Sequence, residues 1–201
     1  TFLSSLQFSA CFANTGWAKY SSLYFLNNGI SASELGFMAT FSSMGKLIGY
    51  PTWGILTDLI LTSNHDTNNA LKFKLMFTSL LFFSNLSVWV FYWPSTHQLI
   101  FNSFWIMIIF RCIRSWLNSI WNLVDTVTMK LLTDKANYGL HRLYASIAWG
   151  VGCCISGYLI DIYSMDAIFY YGAVVNMFTM LLVLVFMPHI PTTAETLKMV
   201  T

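Results

Sequence analysis

FRCIRSWLNSIWNLVDTV, residues 110–127, is apolar enough to sit in a bilayer, yet it carries Arg111, Arg114, Asn118, Asn122 and Asp125. At about 100° per residue these five positions fall within a helical sector of roughly 80°. Ile113, Trp116, Leu117, Ile120, Trp121, Leu123 and Val124 cover the remainder. The segment reads as a membrane helix with one polar edge. An ionisable group in hydrocarbon costs at least about 2.5–3.5 kcal/mol on insertion scales, so such an edge normally faces a bundle interior or a watery cavity. A structural stripe that pairs with neighbouring helices is the alternative reading. Five polar groups on one edge favour a solute pathway.

The rest of the chain has the same character. Of its 201 residues 56% are hydrophobic, 17% aromatic and only 9% charged, and the mean hydropathy is +0.60. Soluble domains carry about a quarter charged residues, so a water-facing surface could not be covered here. The expected fold is an all-α integral membrane protein whose first partner is the lipid bilayer. The net charge of +2 says little by itself. Cys11, Cys112, Cys153 and Cys154 fall in apolar segments without metal-ligand spacing and read as small packing residues. His65, His97, His141 and His189 lie in loops or at helix ends, in no nucleophile or metal constellation. With no glycine-rich phosphate loop and no soluble basic patch, we expect no enzyme, no cofactor, no metal site and no nucleic-acid partner. The sequon Asn85-Leu86-Ser87 lies inside an apolar run and is expected to be unmodified. The chain opens at Thr1 and reads as part of a longer protein.

A span needs about 20 apolar residues. Six stretches qualify: 2–26, 34–61, 71–93, 99–130, 140–162 and 167–187. Turn-rich breaks separate them, namely NNGISAS, LTSNHDTNN, WPSTHQ, TDKANYG and IYSMD. Residues 1–189 thus form one transmembrane bundle, and the polar stretch 190–201 reads as the start of a linker. Lys72 and Lys74 follow the second span, Lys130 and Lys135 the fourth, and Lys198 the sixth; the other loops have no Lys or Arg. By the positive-inside rule the basic loops are cytoplasmic or its organellar equivalent. Both ends then lie on that side.

Other spans add polar groups. Lys19 shares a face with Thr15 and Ser22, and Lys46 lies near the middle of the second span. The fifth carries Arg142, Ser146, Trp149, Cys153 and Ser156 along one edge, with Gly150 and Gly157 on the opposite edge, where another helix can approach closely. Lys19, Lys46, Arg111, Arg114 and Arg142 make five intramembrane cations against one acid, Asp125. Unpaired buried cations are unfavourable, so negative charge is expected from a second protein half, an anionic substrate, or both.

KLIGYPTWGILTD, residues 46–58, resembles the second-helix signature of the major facilitator superfamily, in which a proline precedes a Gly-x-x-x-Asp at the cytoplasmic helix end. Gly54 would admit a helix of the other half and Asp58 would meet a helix N-terminus or an arginine. Leu59 stands where that family usually has a basic residue. VDTVTMKLLTDKANYGLHRLYASIAWGVG, residues 124–152, is similar to the lactose permease and nucleoside:proton symporter branch and its eukaryotic relatives. There an acidic residue on helix four precedes a Tyr/Phe-Gly, an Arg and a Trp on helix five; Asp125, Tyr138-Gly139, Arg142 and Trp149 match in order. The GISASELG turn and Lys46 also fit. The resemblance implies two six-helix halves, each of two three-helix repeats, with substrate between them near the midplane. This chain would be the N-terminal half, the second half being in the same chain or a separate protein. In lactose permease the matching carboxylate and guanidinium hold sugar hydroxyls and the tryptophan stacks on the ring.

The expected function is proton-coupled transport of a small polar solute, a sugar, oligosaccharide or nucleoside. Asp125, Arg142, Trp149, Asn122 and Asn118 would contact it, while Lys19, Lys46, Arg111 and Arg114 set the cavity charge. Two alternatives stand beside this reading. The cargo is an organic anion, drawn by the excess of cations, or the chain is a non-transporting structural subunit of a larger membrane complex.

Overall fold

The computed structural model describes residues 2–62, 69–93, 103–119, 121–132 and 135–187. Among these the chain is helical without strands: α1 (Phe2–Asn27), α2 (Ala32–Thr62), α3 (Asn69–Trp89), α4 (Phe104–Asn118), α5 (Trp121–Leu131), a 3-10 turn (Lys135–Asn137), α6 (Tyr138–Ile162) and α7 (Ala167–Phe186). The expected breaks at 63–68 and 94–98, the first residues of the fourth span, His65, His97, His189 and the linker 190–201 lie outside the described residues.

The first turn shows how local chemistry sets these bounds. Gly29 adopts φ 87°, which suits a residue without a Cβ, and Ile30 N–H reaches back to the Phe25 carbonyl at 3.1 Å. Two residues later Ser31 and Glu34 cap each other. The Glu34 carboxylate accepts from Ser31 N–H at 2.9 Å, and the Ser31 hydroxyl oxygen accepts from Glu34 N–H at 3.3 Å. The GISASE stretch therefore stops α1 and starts α2.

The fourth span departs from expectation. In place of one helix over 99–130, α4 and α5 are separate, with Ser119 in a turn between them. The Trp116 carbonyl accepts from the Trp53 indole of α2 at 2.8 Å and from the Ser119 hydroxyl at 2.5 Å. Side-chain donors on a helical carbonyl compete with the backbone ladder and bend the helix there. The six expected spans are met in part. Among the described residues three helices are long and apolar enough to cross a membrane, those covering Leu71–Trp89, Tyr138–Ile162 and Ala167–Phe186. α1 and α2 have the length but are rich in Ser and Thr, and the break shortens α4 and α5.

α1 packs chiefly on α6 and α7, α2 on α4, and α3 on α7 and α4. Exchanging the first three spans with the last three maps α1–α6 onto α4–α2, α1–α7 onto α4–α3, and α3–α7 onto itself. The bundle is thus paired as two interleaved triplets. Small residues bring both interleaved pairs close. A Cβ on Gly45 of α2 would stand 2.5 Å from the Cys112 carbonyl of α4, and one on Gly49 would overlap the Ser119 hydroxyl. A Cβ on Gly152 of α6 would stand 2.5 Å from Thr15 Oγ1 of α1.

Two cores fill the bundle. One gathers Leu6, Phe73, Phe77, Leu123 and Val183; the other is aromatic, with the Trp17 ring 5.5–6.1 Å from those of Phe169 and Tyr24 and also touching Phe25 and Phe91. The outside is apolar as well. Leu47, Trp105, Val174 and Phe186 are each at least two-thirds exposed. So large a set of exposed apolar side chains suits hydrocarbon rather than water.

Candidate functional site

Asp125 of α5 and Arg142 of α6 meet as an ion pair, with Arg142 Nη1 donating to Asp125 Oδ2 at 2.7 Å. The same nitrogen lies 3.0 Å from the hydroxyl of Tyr138, one turn earlier. From α1, Gln7 Nε2 donates to the other carboxylate oxygen, Oδ1, at 3.0 Å and to Thr128 Oγ1 at 3.1 Å. Asp125 is therefore held by one donor on each oxygen, from two different helices. Gln7 is buried, whereas the Arg142 and Asp125 side chains are 58% and 33% exposed. The pair is rigid behind and open in front. An ion pair so open contributes on the order of 1 kcal/mol or less, so hydroxyl groups of a solute can replace part of it at small cost.

The pair stands in the wall of a cavity of about 330 Å³. Asn122 and Trp149 line it too, with Ser146 of α6 and Cys11 and Asn14 of α1. It supplies a carboxylate, a guanidinium, amides and an indole face, the groups that hydrogen-bond and stack a polar ring. Its formal charge balances: one acid, one cation.

The remaining expected residues lie elsewhere. Asn118 and Arg114 line a second, much smaller cavity of about 20 Å³, shared with Asn14, Asn85 and Asn176. The helix is interrupted at Ser119, between the two pairs of polar residues. Asn122 and Asp125 go with the larger cavity, Arg114 and Asn118 with the smaller. The Arg114 guanidinium stacks 4.8 Å over Trp17, and that of Arg111 4.9 Å over Phe25. Arg114 is 9% exposed, and its Nε and Arg111 Nη1 are buried without a hydrogen-bond partner among the described residues. Burying an ion costs several kcal/mol, and a desolvated cation–π contact recovers about 2 kcal/mol, so the rings offset only part of it.

Lys19 and Lys46 are exposed and line neither cavity. Thr15, expected beside Lys19, is fully buried and bonded to the Tyr171 hydroxyl at 3.1 Å. On α6, Arg142, Ser146 and Trp149 share the larger cavity, but Ser156 is buried against α1 and the Cys153 carbonyl accepts from Tyr20. Gly54 has open space within 4 Å among the described residues, and Asp58 is exposed. Gly150 is likewise open, whereas Gly157 faces the Tyr20 hydroxyl. Gln7 is the residue that sequence reasoning missed. Its partners lie 118 and 121 positions away, and its only signal is being, like Asn14, an amide in an apolar span.

A model of the MFS_1 like family matches residues 6–200. The chain belongs to that family. No curated protein and no solved structure matches it. Membership joined to the apolar helices makes the chain a multi-pass integral membrane protein of transporter type. The matched range takes in α1 from Leu6, both cavities and the glycine seams.

Proposed function

We propose that this member of the MFS_1 like family is the N-terminal six-helix half of a secondary transporter, and that it carries a small polar solute such as a sugar, oligosaccharide or nucleoside. The observation that carries the reading is the Asp125–Arg142 pair at 2.7 Å in the wall of a cavity of about 330 Å³, beside Trp149 and Asn122. That volume is at the lower end of small-molecule sites, about 300–1,000 Å³. Arg142 and Asp125 would bridge solute hydroxyls, Trp149 would stack on the ring, and Asn122 would complete the polar wall. A second half, in the same chain or a separate protein, closes the site across the open face at Gly54. Transport is driven by protons taken up in that half. All six spans cross the bilayer, with both ends on the cytoplasmic-equivalent side.

The organic-anion alternative draws less support, because the cavity's one cation is matched by one acid and four of the five intramembrane cations lie outside it. The structural-subunit reading has no observation in its favour beyond the open face at Gly54, which a second half explains equally.

Uptake by proteoliposomes tests the proposal. Arg142→Ala and Asp125→Ala are expected to lose sugar or nucleoside uptake, and wild-type rates from both would overturn it. Cys11 gives a readout of binding alone, since it lines the cavity. In a background with the other cysteines replaced, a transported solute should slow Cys11 alkylation.

A further inference from the structure

The Arg114 cavity adjoins the proposed solute site across Asn14 and Trp121 but poses a different chemical problem. It encloses a cation that the bundle does not neutralise. Among the described residues no carboxylate pairs with Arg114 or with Arg111 one turn before it, and Arg114 Nε is buried without a hydrogen-bond partner. Its walls come from α1, α3, α4, α5 and α7 of this bundle, so the guanidinium faces this half's own interior. The donors are in place. Asn118 Oδ1 accepts from the Trp121 indole at 2.7 Å, which fixes the amide and leaves its N–H groups for the cavity. Asn176 spends one N–H on the Gly172 carbonyl and keeps the other. Size then selects the ligand. About 20 Å³ favours a single compact monovalent ion over phosphate, sulfate or a carboxylated solute. A water fits but does not neutralise the charge.

We infer that this cavity binds a single monovalent anion of halide size, held by the Arg114 guanidinium and the amides of Asn118 and Asn176. The ion acts as a fixed counter-charge that locks α4 to α1 and α7, independently of the transported solute.

Thermal unfolding of the full chain in nanodiscs, followed by tryptophan fluorescence in chloride–gluconate mixtures of constant ionic strength, tests this. A chloride concentration ten times the dissociation constant should raise the midpoint by about 3–5 °C over gluconate. Bromide should replace chloride and sulfate should not. Arg114→Met should abolish the rise and Asn118→Leu should reduce it, while Arg142→Ala should keep it, which separates this site from the solute site. Equal wild-type midpoints in chloride and gluconate, or a rise that survives Arg114→Met, would overturn the inference. If Arg114→Met does not fold, anomalous scattering from bromide-grown wild-type crystals decides: density beside Arg114 supports the site, and its absence sinks it.

Discussion

Replacing Gly45 by alanine puts the α2–α4 seam under direct strain. The new Cβ would stand 2.5 Å from the Cys112 carbonyl oxygen and 3.1 Å from Ser115 Cβ. Ordinary contact begins near 3.4 Å, so the helices must part by about 0.9 Å at that level. The clashing oxygen belongs to backbone and cannot rotate away. Overpacking of this kind costs about 1–3 kcal/mol. Alanine returns about 0.8–1 kcal/mol of helix propensity, leaving a net loss of up to roughly 2 kcal/mol. For a chain of this length that lowers the unfolding midpoint by up to about 8 °C. Gly54→Ala, on the same helix nine residues later, is the control. Nothing lies within 4 Å of its added Cβ, so propensity acts alone and the midpoint should rise by about 2–4 °C. Thermal unfolding of the two variants in one detergent compares them directly. Shifts of the same sign would refute the claim that glycines set the α2–α4 distance.

Three further substitutions probe the site and its frame. Gln7→Leu fills the same buried volume but leaves Asp125 Oδ1 without its donor; hydrogen bonds to charged groups are worth about 1.5–3 kcal/mol, so the unfolding midpoint should fall by about 3–12 °C and solute protection of Cys11 should weaken with it. Trp53→Phe removes the indole donor from the Trp116 carbonyl, at 2.8 Å, and should cost about 1 kcal/mol, read as a midpoint 2–4 °C lower on the same scale. Tyr24→Phe takes a buried hydroxyl from the Phe91 carbonyl, at 2.8 Å; a cost of about 1–3 kcal/mol is expected from chemical denaturation, and an unchanged midpoint would show that the carbonyl finds another donor.

Much of the fold was legible because it rests on short-range chemistry. The bounds of α1, α2, α6 and α7 follow apolar runs and the Gly29, Ser31 and Glu34 signals between them, all of which act over a few residues. The break at Ser119 was not legible. It depends on Trp53, 63 positions from Trp116, and no local pattern marks that carbonyl as one a distant indole will claim. The polar edge read as one stripe is divided between two adjoining cavities, with the break at Ser119 between them. Of the candidate site, the approach of Asp125 to Arg142 was anticipated through a motif, whereas its support by Gln7 was not.

The amino-acid sequence by itself determined that the chain is helical and apolar on its outside, and that cations and amides must be buried within it, because composition and 3.6-residue periodicity are local properties. Only the tertiary structure decided which of those polar groups meet. It placed Asp125, Arg142, Asn122 and Trp149 around one cavity and enclosed Arg114 with Asn118 in another. The physical reason is that glycine seams and a carbonyl claimed from another helix set the depth and rotation of each span, and those are relations between helices rather than within one.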